Sequence, residues 1–529
     1  MPQPTSFATN PPTVAVIGLE PARRRLRRPA TGFDANHYVG GLWKYTTSDH
    51  TSVMQSTVVD ISKERGCFTD FPFGEGVRTH PAAEEVWEYL EAYKRAFGLG
   101  PRCRLGCRVR GISWRGGKWV VDNDAEGGRR EEFFDKVVMA TGINSQPNVL
   151  DIEGVERFEG VCLHSRGFKR PKDFDGKRVM IVGLGNTAAD TATQLVGHAS
   201  RIWISNRHRS HIIPRTFKGQ SIDHGLTHRV GIFNYLFWYY APSIAEKIDN
   251  YFITKLQTES FDIQPERNIS PPPGGKAHML IISDNLVDSL QGGDVESVAG
   301  IKKFASAKTV ELLDGTQIGV DVVIWCTGYK SDFSLLDPKF DPTKHSNLDW
   351  HNISGAKDKP SSRLYQNIFS LEKPDSLAFV GTRVFPAPAF QTFDLASMAL
   401  AQIWKGNAQL PPYAEMERWA DNHLAWVCNL AKSGGVFPNA IDGGPWQKWV
   451  NDAAGTGVNE KLGYGLEGWR CWWRDRKLCK LLMDGTYSPH MFRLFEGRRK
   501  EWKGAMEAIE KANEVVRTGI RQRTRKVTE

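Results

Sequence analysis

The stretch Val179–Asp190, VMIVGLGNTAAD, decides the fold. Its first four residues have the continuous apolar character of a strand buried on both faces of a parallel sheet. Gly183 and Gly185 follow at once, and Ala188 completes a Gly-x-Gly-x-x-Ala pattern ahead of a predicted helix. Glycines at these positions let the backbone amides at a helix start approach a pyrophosphate. The stretch therefore predicts a strand, a turn and a helix that bind a dinucleotide.

The residues after this strand indicate which dinucleotide is bound. The turn and first helical turn supply the expected contacts, namely Gly183, Gly185, Asn186, Thr187, Ala188, Ala189 and Asp190. The next predicted strand, Arg201–Ser205, is followed by Asn206-Arg207-His208-Arg209, which has no acidic residue. An acidic residue there would bind the ribose of NAD, whereas arginine binds a 2′-phosphate through two hydrogen bonds. The sequence therefore favours NADPH, with Arg207 as the phosphate ligand; a solvated strand end is the alternative, more so for Arg209.

A second strand of the same kind lies near the start of the chain. Val14–Gly18 (VAVIG) is apolar and ends in a glycine, which indicates another central parallel strand and makes Gly18 a candidate cofactor ligand. Two further apolar runs end in Thr-Gly, at Thr141-Gly142 and at Thr327-Gly328. We expect these two points to mark where the chain leaves and re-enters the first domain.

Other segments have a clear local pattern. Pro81–Phe97 has apolar side chains at helical spacing and acidic residues in its first turn, which predicts an amphipathic helix. Arg108–Trp114 and Lys118–Asp122, joined by two glycines, predict a β-hairpin.

Val230–Ala245 is broken by a proline and is too short to cross a bilayer core of about 30 Å. We interpret it as a buried or tunnel-lining segment, with a membrane-surface patch as the alternative. Asn268–Lys276, rich in Pro and Gly, predicts a loop.

The composition is that of an ordinary globular protein with a small excess of positive charge. The 529 residues include 69 Lys or Arg and 60 Asp or Glu, a formal net charge of +9. This surplus suits an anionic cofactor better than nucleic acid, so we expect no nucleic-acid partner. Eight cysteines form neither CxxC pairs nor metal-ligand spacings with histidine, so no metal site and no disulfide scaffold is predicted. The start of the chain is polar, so we expect a cytoplasmic protein without a transmembrane segment, at most peripheral to an internal membrane.

A motif ahead of the dinucleotide strand indicates a family. Phe158–Phe168 has the form FxGxxxHxxxF, which in this position is similar to the identifying motif of flavin-containing monooxygenases, where it links two nucleotide-binding domains. The resemblance runs from about residue 14 to 406, and the tail resembles that of long fungal members. Other stretches match the family in the same order, namely Gly40–Tyr45, Ser62–Glu64, Phe68–Phe73, the two Thr-Gly motifs and Leu377–Gly381.

The resemblance implies an oxidoreductase that binds FAD and NADPH. In this family NADPH delivers hydride to FAD, reduced flavin captures O2 as a C4a-hydroperoxide, and a soft nitrogen or sulfur nucleophile of a small substrate is oxygenated. N,N-dimethylaniline monooxygenase activity and a role in fungal secondary metabolism are implied by the resemblance alone. Asp60 is the candidate catalytic residue, and a domain-linking role is the alternative for His164. The residues that the resemblance adds to the cofactor site are Gly41, Leu42, Trp43, Val59, Asp60, Ile61, Thr141, Gly142, His164, Thr327 and Gly328.

We therefore predict an α/β fold with two Rossmann-like dinucleotide-binding domains, the NADPH-binding domain being inserted in the FAD-binding domain. A Trp-rich helical C-terminal extension follows. Nine of the 17 tryptophans lie between Trp404 and Trp502; we expect aromatic core packing there, with a substrate pocket as the alternative. The predicted segments are a disordered N-terminus (1–13), the first segment of the FAD-binding domain (14–165), the NADPH-binding domain (166–325), the second segment of the FAD-binding domain (326–410) and the extension (411–529).

The FAD fingerprint departs from the family pattern after Gly18. Leu19–Ala30 lacks the second and third glycines, so bulky side chains stand where backbone is expected to meet the FAD pyrophosphate. We also expect that a strand of about five residues is missing between Asp34 and Asn36, and that the glutamate for the FAD ribose has no counterpart. Our hypothesis is that residues 19–31 are a reading-frame or splice artefact. A real loss of FAD binding is the competing explanation.

Asp60 is a second departure, because the family has asparagine at this position. A carboxyl group donates a hydrogen bond toward flavin and nicotinamide only if a raised pKa lets it keep its proton. We therefore predict weaker stabilisation of the hydroperoxide at neutral pH and faster uncoupled release of peroxide. Two other functions stay open: a Baeyer-Villiger monooxygenase, which Phe168-Lys169 disfavours, and a non-catalytic NADPH-binding relative that has lost FAD.

Overall fold

The structure, a computed structural model, describes most of the chain. The described residues are 12–18, 30–48, 50–125, 127–261, 280–345, 348–353, 356, 359–382, 387–432 and 437–528. In these ranges the strands are β1 (Val14–Ile17), β2 (Ala30–Phe33), β3 (Cys103–Arg104), β4 (Val109–Arg115), β5 (Lys118–Ala125), β6 (Gly128–Phe134), β7 (Lys136–Met139), β8 (Gln146–Pro147), β9 (Val161–His164), β10 (Arg178–Val182), β11 (Arg201–Asn206), β12 (Ile212–Ile213), β13 (Thr216–Phe217), β14 (Gln220–Ser221), β15 (Ile281–Ile282), β16 (Glu296–Ala299), β17 (Ile301–Ser306), β18 (Thr309–Leu312), β19 (Gln317–Gly319), β20 (Val322–Trp325), β21 (Tyr329–Lys330) and β22 (Leu377–Phe379). The α-helices in the same ranges are α1 (Ala83–Ala96), α2 (Asn186–Leu195), α3 (His228–Tyr240), α4 (Pro242–Ser260), α5 (Leu286–Gly292), α6 (Leu348–His351), α7 (Ala389–Trp404), α8 (Tyr413–Lys432), α9 (Gly443–Ala454), α10 (Val458–Lys461), α11 (Leu466–Arg474), α12 (Arg476–Asp484) and α13 (Ala505–Thr528).

The first parallel sheet has the strand order β22-β7-β1-β2-β3. Val14 and Val16 of β1 are buried in the apolar cluster on one face of the sheet, and Ala15 and Ile17 are buried in the cluster on the other. This burial on both faces explains why the run is apolar without alternation. The predicted amphipathic helix is confirmed as α1, and the predicted hairpin is confirmed as β4 and β5.

The prediction that a strand is missing between Asp34 and Asn36 is wrong. Ala30–Phe33 forms β2, which lies parallel to β1 with Gly32 opposite Val16. The segment assigned to an artefact, 19–31, therefore overlaps this strand at its last two residues, while 19–29 lie outside the described residues. The strand was missed because a Thr-Gly pair interrupts its short apolar run, and glycine is depleted in strands.

The second parallel sheet has the strand order β16-β11-β10-β20-β9. The antiparallel strands β17, β18 and β19 precede β20, just as the antiparallel strands β4, β5 and β6 precede β7. The predicted strand Arg178–Val182 and the helix after it are confirmed as β10 and α2. Strand β9 lies ahead of residue 166, so this sheet takes in four residues of the segment that the sequence assigns to the first domain.

The two connections between the sheets run side by side. Strand β8 follows the first sheet's β7, strand β21 follows the second sheet's β20, and the two pair in antiparallel fashion with Tyr329 opposite Pro147. The Thr-Gly motifs at residues 141 and 327 therefore do stand where the chain passes between the sheets.

Of the interpretation of Val230–Ala245 as a buried or tunnel-lining segment, the burial is wrong for all of α3. Helix α3 has no buried residue, and α4 buries only Ala245 and Gln257. Tyr239 and Tyr240 are more than two-thirds exposed. None of the helices in the described ranges has the length and apolarity needed to cross a membrane. The predicted loop 268–276 lies outside the described residues.

The C-terminal extension is helical and packs on the first sheet. Helix α7 is almost wholly buried, and Trp404 at its end shares an apolar cluster with Trp446 of α9. Aromatic core packing is thus confirmed for these two tryptophans. Trp469 and Trp473 of α11 are instead exposed.

Candidate active site

The turn after β10 has the geometry that dinucleotide binding requires. Gly183 has a φ of +114°, and a Cβ there would lie 2.5 Å from the carbonyl oxygen of Cys326, so only glycine fits. Gly185 has open space around the position of a Cβ. A ligand can therefore approach the backbone at Gly185 and the start of α2, where the free amides of a helix favour an anion.

The residues predicted to bind the cofactor on α2 differ in their solvent exposure. Thr187 is exposed at the start of the helix, whereas Ala188 and Ala189 have no solvent exposure and pack in the core of the second sheet. The two alanine side chains allow close packing of helix on sheet. Arg207 is exposed beyond β11, with its stem against Gly300, so its guanidinium is available to a phosphate.

Asp60 connects the first domain to the start of α2. Its Oδ2 accepts a hydrogen bond of 2.7 Å from Nδ2 of Asn186, and its Oδ1 accepts one of 3.0 Å from Arg215. Arg215 also pairs with Asp284 at 3.0 Å and donates to the carbonyl of Val58. The candidate catalytic residue is therefore an acceptor within a partly buried cluster of charges that contacts both domains.

These surroundings raise the pKa of two carboxyl groups. Burial raises the pKa of Asp60 to about 6, and Arg215 opposes that rise. Burial likewise raises the pKa of Asp190, on the first turns of α2, to about 6. The pKa of Asp60 is thus raised, as hydrogen-bond donation would require, but it still lies below neutral pH, where Arg215 and Asn186 stabilise the carboxylate.

The first sheet presents a matching carboxyl edge. Gly18 follows β1 with a φ of +88°, and a Cβ there would lie 2.2 Å from the carbonyl oxygen of Ala140. Gly142, after β7, also has a positive φ of +74°. Ligands of open α/β sheets bind at this edge, outside the carboxyl ends of the strands.

Buried polar groups at this edge support the binding of FAD. Thr141 follows β7 and Thr382 follows β22, and within the described ranges of the chain the buried hydroxyl of neither has a hydrogen-bond partner. Asn367, in the turn ahead of β22, has both amide atoms buried and unpaired in the same ranges. Because unpaired buried polar groups are costly, this set fits a polar ligand such as a flavin nucleotide.

Asp34 corrects the prediction that the ribose-binding acid has no counterpart. It stands directly after β2, the strand next to β1, which is where an acidic residue meets the ribose in a dinucleotide fold. Its Oδ1 accepts a hydrogen bond from the amide of Asn36. A Phe-Asp pair six residues ahead of Gly40 was the available sequence signal.

The other predicted flavin-side residues lie in two segments beside this edge. Gly41, Leu42 and Trp43 form a single 3₁₀ turn, and the ring of Trp43 lies 6.4 Å from that of Phe390 at the start of α7. Val59, Asp60 and Ile61 lie on an extended segment that the amide of Val59 anchors to the carbonyl of Pro81.

Comparison with known proteins identifies the family. The profile of the flavin-binding monooxygenase-like family matches residues 26–529. The chain belongs to this family. It is 42% identical over 509 residues to monooxygenase aurF of Gibberella zeae, covering 94% of this chain and 97% of that protein. It is 27% identical over 490 residues to flavin-containing monooxygenase 5 of Cavia porcellus, covering 90% and 86% of the two chains.

Solved structures share the fold. S-allyl-L-cysteine S-oxygenase from Allium sativum superposes with a TM-score of 0.62 at 21% identity, over 96% of this chain and 99% of that one. Cyclohexanone monooxygenase superposes with a TM-score of 0.57 at 17% identity, over 84% and 98%. The protein is a flavin-dependent monooxygenase of a family that uses FAD and NADPH.

In this monooxygenase the motif histidine bridges backbone segments. Nδ1 of His164 accepts a hydrogen bond from the amide of Arg166, so Nε2 carries the proton and donates to the carbonyl of Gly328 at 2.9 Å. Asn148 donates from its amide side chain to the carbonyl of Thr327, whose hydroxyl donates back to the carbonyl of Asn148. His164, Thr327 and Gly328 therefore fasten the two connections together, and this geometry supports the linking role.

Sequence reasoning missed the partners of the Ser-Lys-Glu motif. The amide and hydroxyl of Ser62 both donate to Asp223, and Glu64 lies 3.1 Å from Nε2 of His224. Arg65 lies over the ring of Tyr487 in the C-terminal extension. The monooxygenase thus holds the segment that carries Asp60 between the inserted domain and the extension. The segment 215–224 has no recognisable pattern, so only the three-dimensional structure reveals it.

Proposed function

We propose that this monooxygenase uses NADPH and O2 to oxygenate a nitrogen or sulfur atom of a small organic substrate. The observation that supports it is the hydrogen bond between Asp60 and Asn186, because it joins the flavin side of the first domain to the start of the NADPH-binding helix. FAD held there would supply the hydride acceptor and the group that activates O2.

The protein's own groups bind and orient the two cofactors. The open backbone at Gly185 and the start of α2 receive the NADPH pyrophosphate, and Arg207 binds the 2′-phosphate. Asp34 would hold the FAD ribose, and the buried hydroxyls of Thr141 and Thr382, which have no partner in the described residues, would be available to the flavin nucleotide. Asp60, fixed by Arg215, sets the electrostatic surroundings between the two cofactors.

The site needs no acid-base machinery if the substrate is a soft nucleophile. A tertiary amine or a thioether attacks an activated oxygen directly, so the protein has only to position it and exclude water. The aromatic cluster that follows the Asp60 segment is packed tightly, since the ring of Phe68 lies 4.9 Å from that of Phe390 and is stacked on Tyr89. Phe168, which ends the linking motif, is buried against Phe174.

Product analysis tests the proposal. The purified full-length protein, supplied with FAD and NADPH, is offered a tertiary amine, a thioether and a cyclic ketone, and the products are identified by mass spectrometry. We expect an N-oxide or a sulfoxide that carries one atom from ¹⁸O2, and far less of it with the Gly185→Val variant at the same NADPH concentration. A lactone in the absence of both products would instead establish a Baeyer-Villiger enzyme.

A further inference from the structure

Helices α3, α4 and α11 expose a set of large apolar side chains. Of their aromatic residues, Tyr240 is 78% exposed and Trp473 is 79% exposed, and a large exposed apolar patch marks an interaction site. We call this set, together with the basic residues of α11 and α12, the aromatic-basic surface. Its apolar members are Val230, Phe233, Leu236, Phe237, Tyr239, Tyr240, Ile244, Ile248, Tyr251, Phe252, Leu466, Trp469 and Trp473.

The surface is one folded unit. Arg229 of α3 pairs with Asp484 of α12 at 2.6 Å and donates to the hydroxyl of Tyr464, just ahead of α11. Trp238 of α3 donates from its indole nitrogen to Asp249 of α4 at 2.8 Å. These bonds connect α3 to α12 and to α4, so the helices that carry the exposed rings are held together.

The polar region that α11 and α12 contribute to the surface is positively charged. Helices α11 and α12 carry five exposed basic side chains, namely Arg470, Arg474, Arg476, Lys477 and Lys480. The three acidic residues of the same stretch are engaged: Glu467 pairs with Arg470, Asp475 accepts from the amide of Leu478, and Asp484 pairs with Arg229. Trp469 and Trp473 thus lie among cations whose charge is only partly neutralised.

This combination favours lipid over a protein partner. Helices with Trp and Leu on one side and Arg or Lys on the other lie in the plane of a membrane interface, where the amphipathic indole rings settle at the headgroups. A symmetric dimer through the same surface would place each cluster of cations against its own copy, which costs energy. Anionic headgroups neutralise the cations while the acyl region receives the rings.

We propose that the aromatic-basic surface binds the face of an anionic lipid bilayer. The base of α3 adjoins the candidate active site, because the amide of Tyr487 donates to the carbonyl of Leu226 and the hydroxyl of Tyr487 accepts from Gln391 of α7. The bound enzyme would therefore hold this end of the site close to the bilayer. The binding does not depend on which substrate the enzyme oxygenates.

Vesicle co-sedimentation tests this directly. The full-length enzyme is sedimented with phosphatidylcholine vesicles that contain or lack phosphatidylserine. We expect binding to the anionic vesicles that falls about tenfold or more in the Trp469→Ser/Trp473→Ser variant, because two interfacial rings are lost. The Lys477→Glu/Lys480→Glu variant should lose most of its preference for phosphatidylserine. Phe133→Ser, which removes an exposed ring on β6, is the matched control and should bind as the unchanged enzyme does.

Three results would overturn the proposal. The first is failure of the unchanged enzyme to sediment with either vesicle, and the second is equal binding by the Trp variant and the control. The third is a dimer, measured by light scattering, that the Trp variant dissociates, because the surface would then be an interface between two copies. Circular dichroism of each variant confirms that these exposed substitutions leave the fold intact.

Discussion

The turns after β1 and β10 both begin with a glycine that has a positive φ and no room for a side chain. At Gly18 a Cβ would strike the carbonyl of Ala140, and at Gly183 a Cβ would strike the carbonyl of Cys326. Both neighbouring strands then continue into a Thr-Gly pair whose glycine has a positive φ. The two sequences differ afterwards, since Gly185 follows in the second and Glu20 stands at the corresponding position of the first.

This difference separates two reasons for a glycine in such a turn. The first glycine is required by the fold, because the adjacent strand leaves no room for a side chain. The second is required by the ligand, because nothing in the protein lies near Gly185. A chain that has lost the second glycine keeps the sheet, and its ligand must then be held mainly by the remaining strand ends.

Substitution of the two glycines of the second turn should give the largest effects. We expect Gly183→Val to prevent folding, because the new side chain overlaps backbone at a positive φ. Gly185→Val should fold, yet bind NADPH about 100-fold more weakly, a loss of about 2.7 kcal/mol. Fluorescence titration with NADPH and thermal melts measure both. If Gly185→Val kept the unchanged affinity, the pyrophosphate would not bind at this turn.

Loss of Asp34 should weaken FAD binding without affecting NADPH. Removing a charged hydrogen-bond partner costs about 1.5 kcal/mol or more, so Asp34→Ala should release FAD about tenfold more readily. Equilibrium dialysis with FAD gives the affinity. Asp124→Ala, which removes a surface carboxylate of β5 in the same domain, is the control. Equal FAD affinity in the two variants would show that β2 does not supply the ribose contact.

The amount of peroxide released per NADPH consumed should depend on pH through Asp60. Its pKa of about 6 means that the carboxyl keeps its proton below that pH and can donate it, and loses it above. Peroxide released per NADPH consumed should therefore rise about threefold as pH rises through 6, the effect of one hydrogen bond. In Asp60→Asn the ratio should stay low at all pH values. A flat ratio in the unchanged enzyme would remove Asp60 from this role.

The motif histidine should affect cofactor binding least. His164→Ala removes two hydrogen bonds to backbone groups, so we expect the free energy of unfolding to fall by about 2 kcal/mol. The affinity for NADPH should change less than about twofold, which is under 0.5 kcal/mol. Denaturant melts and NADPH titration measure the two quantities. A large loss of affinity with unchanged stability would instead support the cofactor-binding role.

The sequence predicted the strands and helices whose apolar residues follow a clear pattern, either a continuous run or helical spacing. The apolar runs of β1 and β10 indicated central strands, and the spacing in Pro81–Phe97 indicated α1. The sequence could not place Val230–Ala245, because an apolar run is compatible with a buried helix and with an exposed one. Burial there is decided by what packs against the helix, which the run itself does not contain.

The site was predictable where a single turn builds it. The contacts around Gly185 follow from one short motif, whereas Arg215 reaches Asp60 from a distant segment that carries no pattern. Asp34 was missed for another reason, since the weak strand ahead of it concealed its position at the sheet edge. Contacts between segments far apart in the chain depend on tertiary packing, and periodicity does not encode them.

We expect both dinucleotide sites to operate, although the first lacks the second glycine that the other has at Gly185. The most direct test is to purify the full-length protein with added FAD, remove unbound flavin, and record the visible spectrum before and after anaerobic addition of NADPH. We expect flavin absorbance that co-elutes with the protein and bleaches with NADPH. Colourless protein that still binds NADPH would contradict it, because the first site would then have lost its ligand.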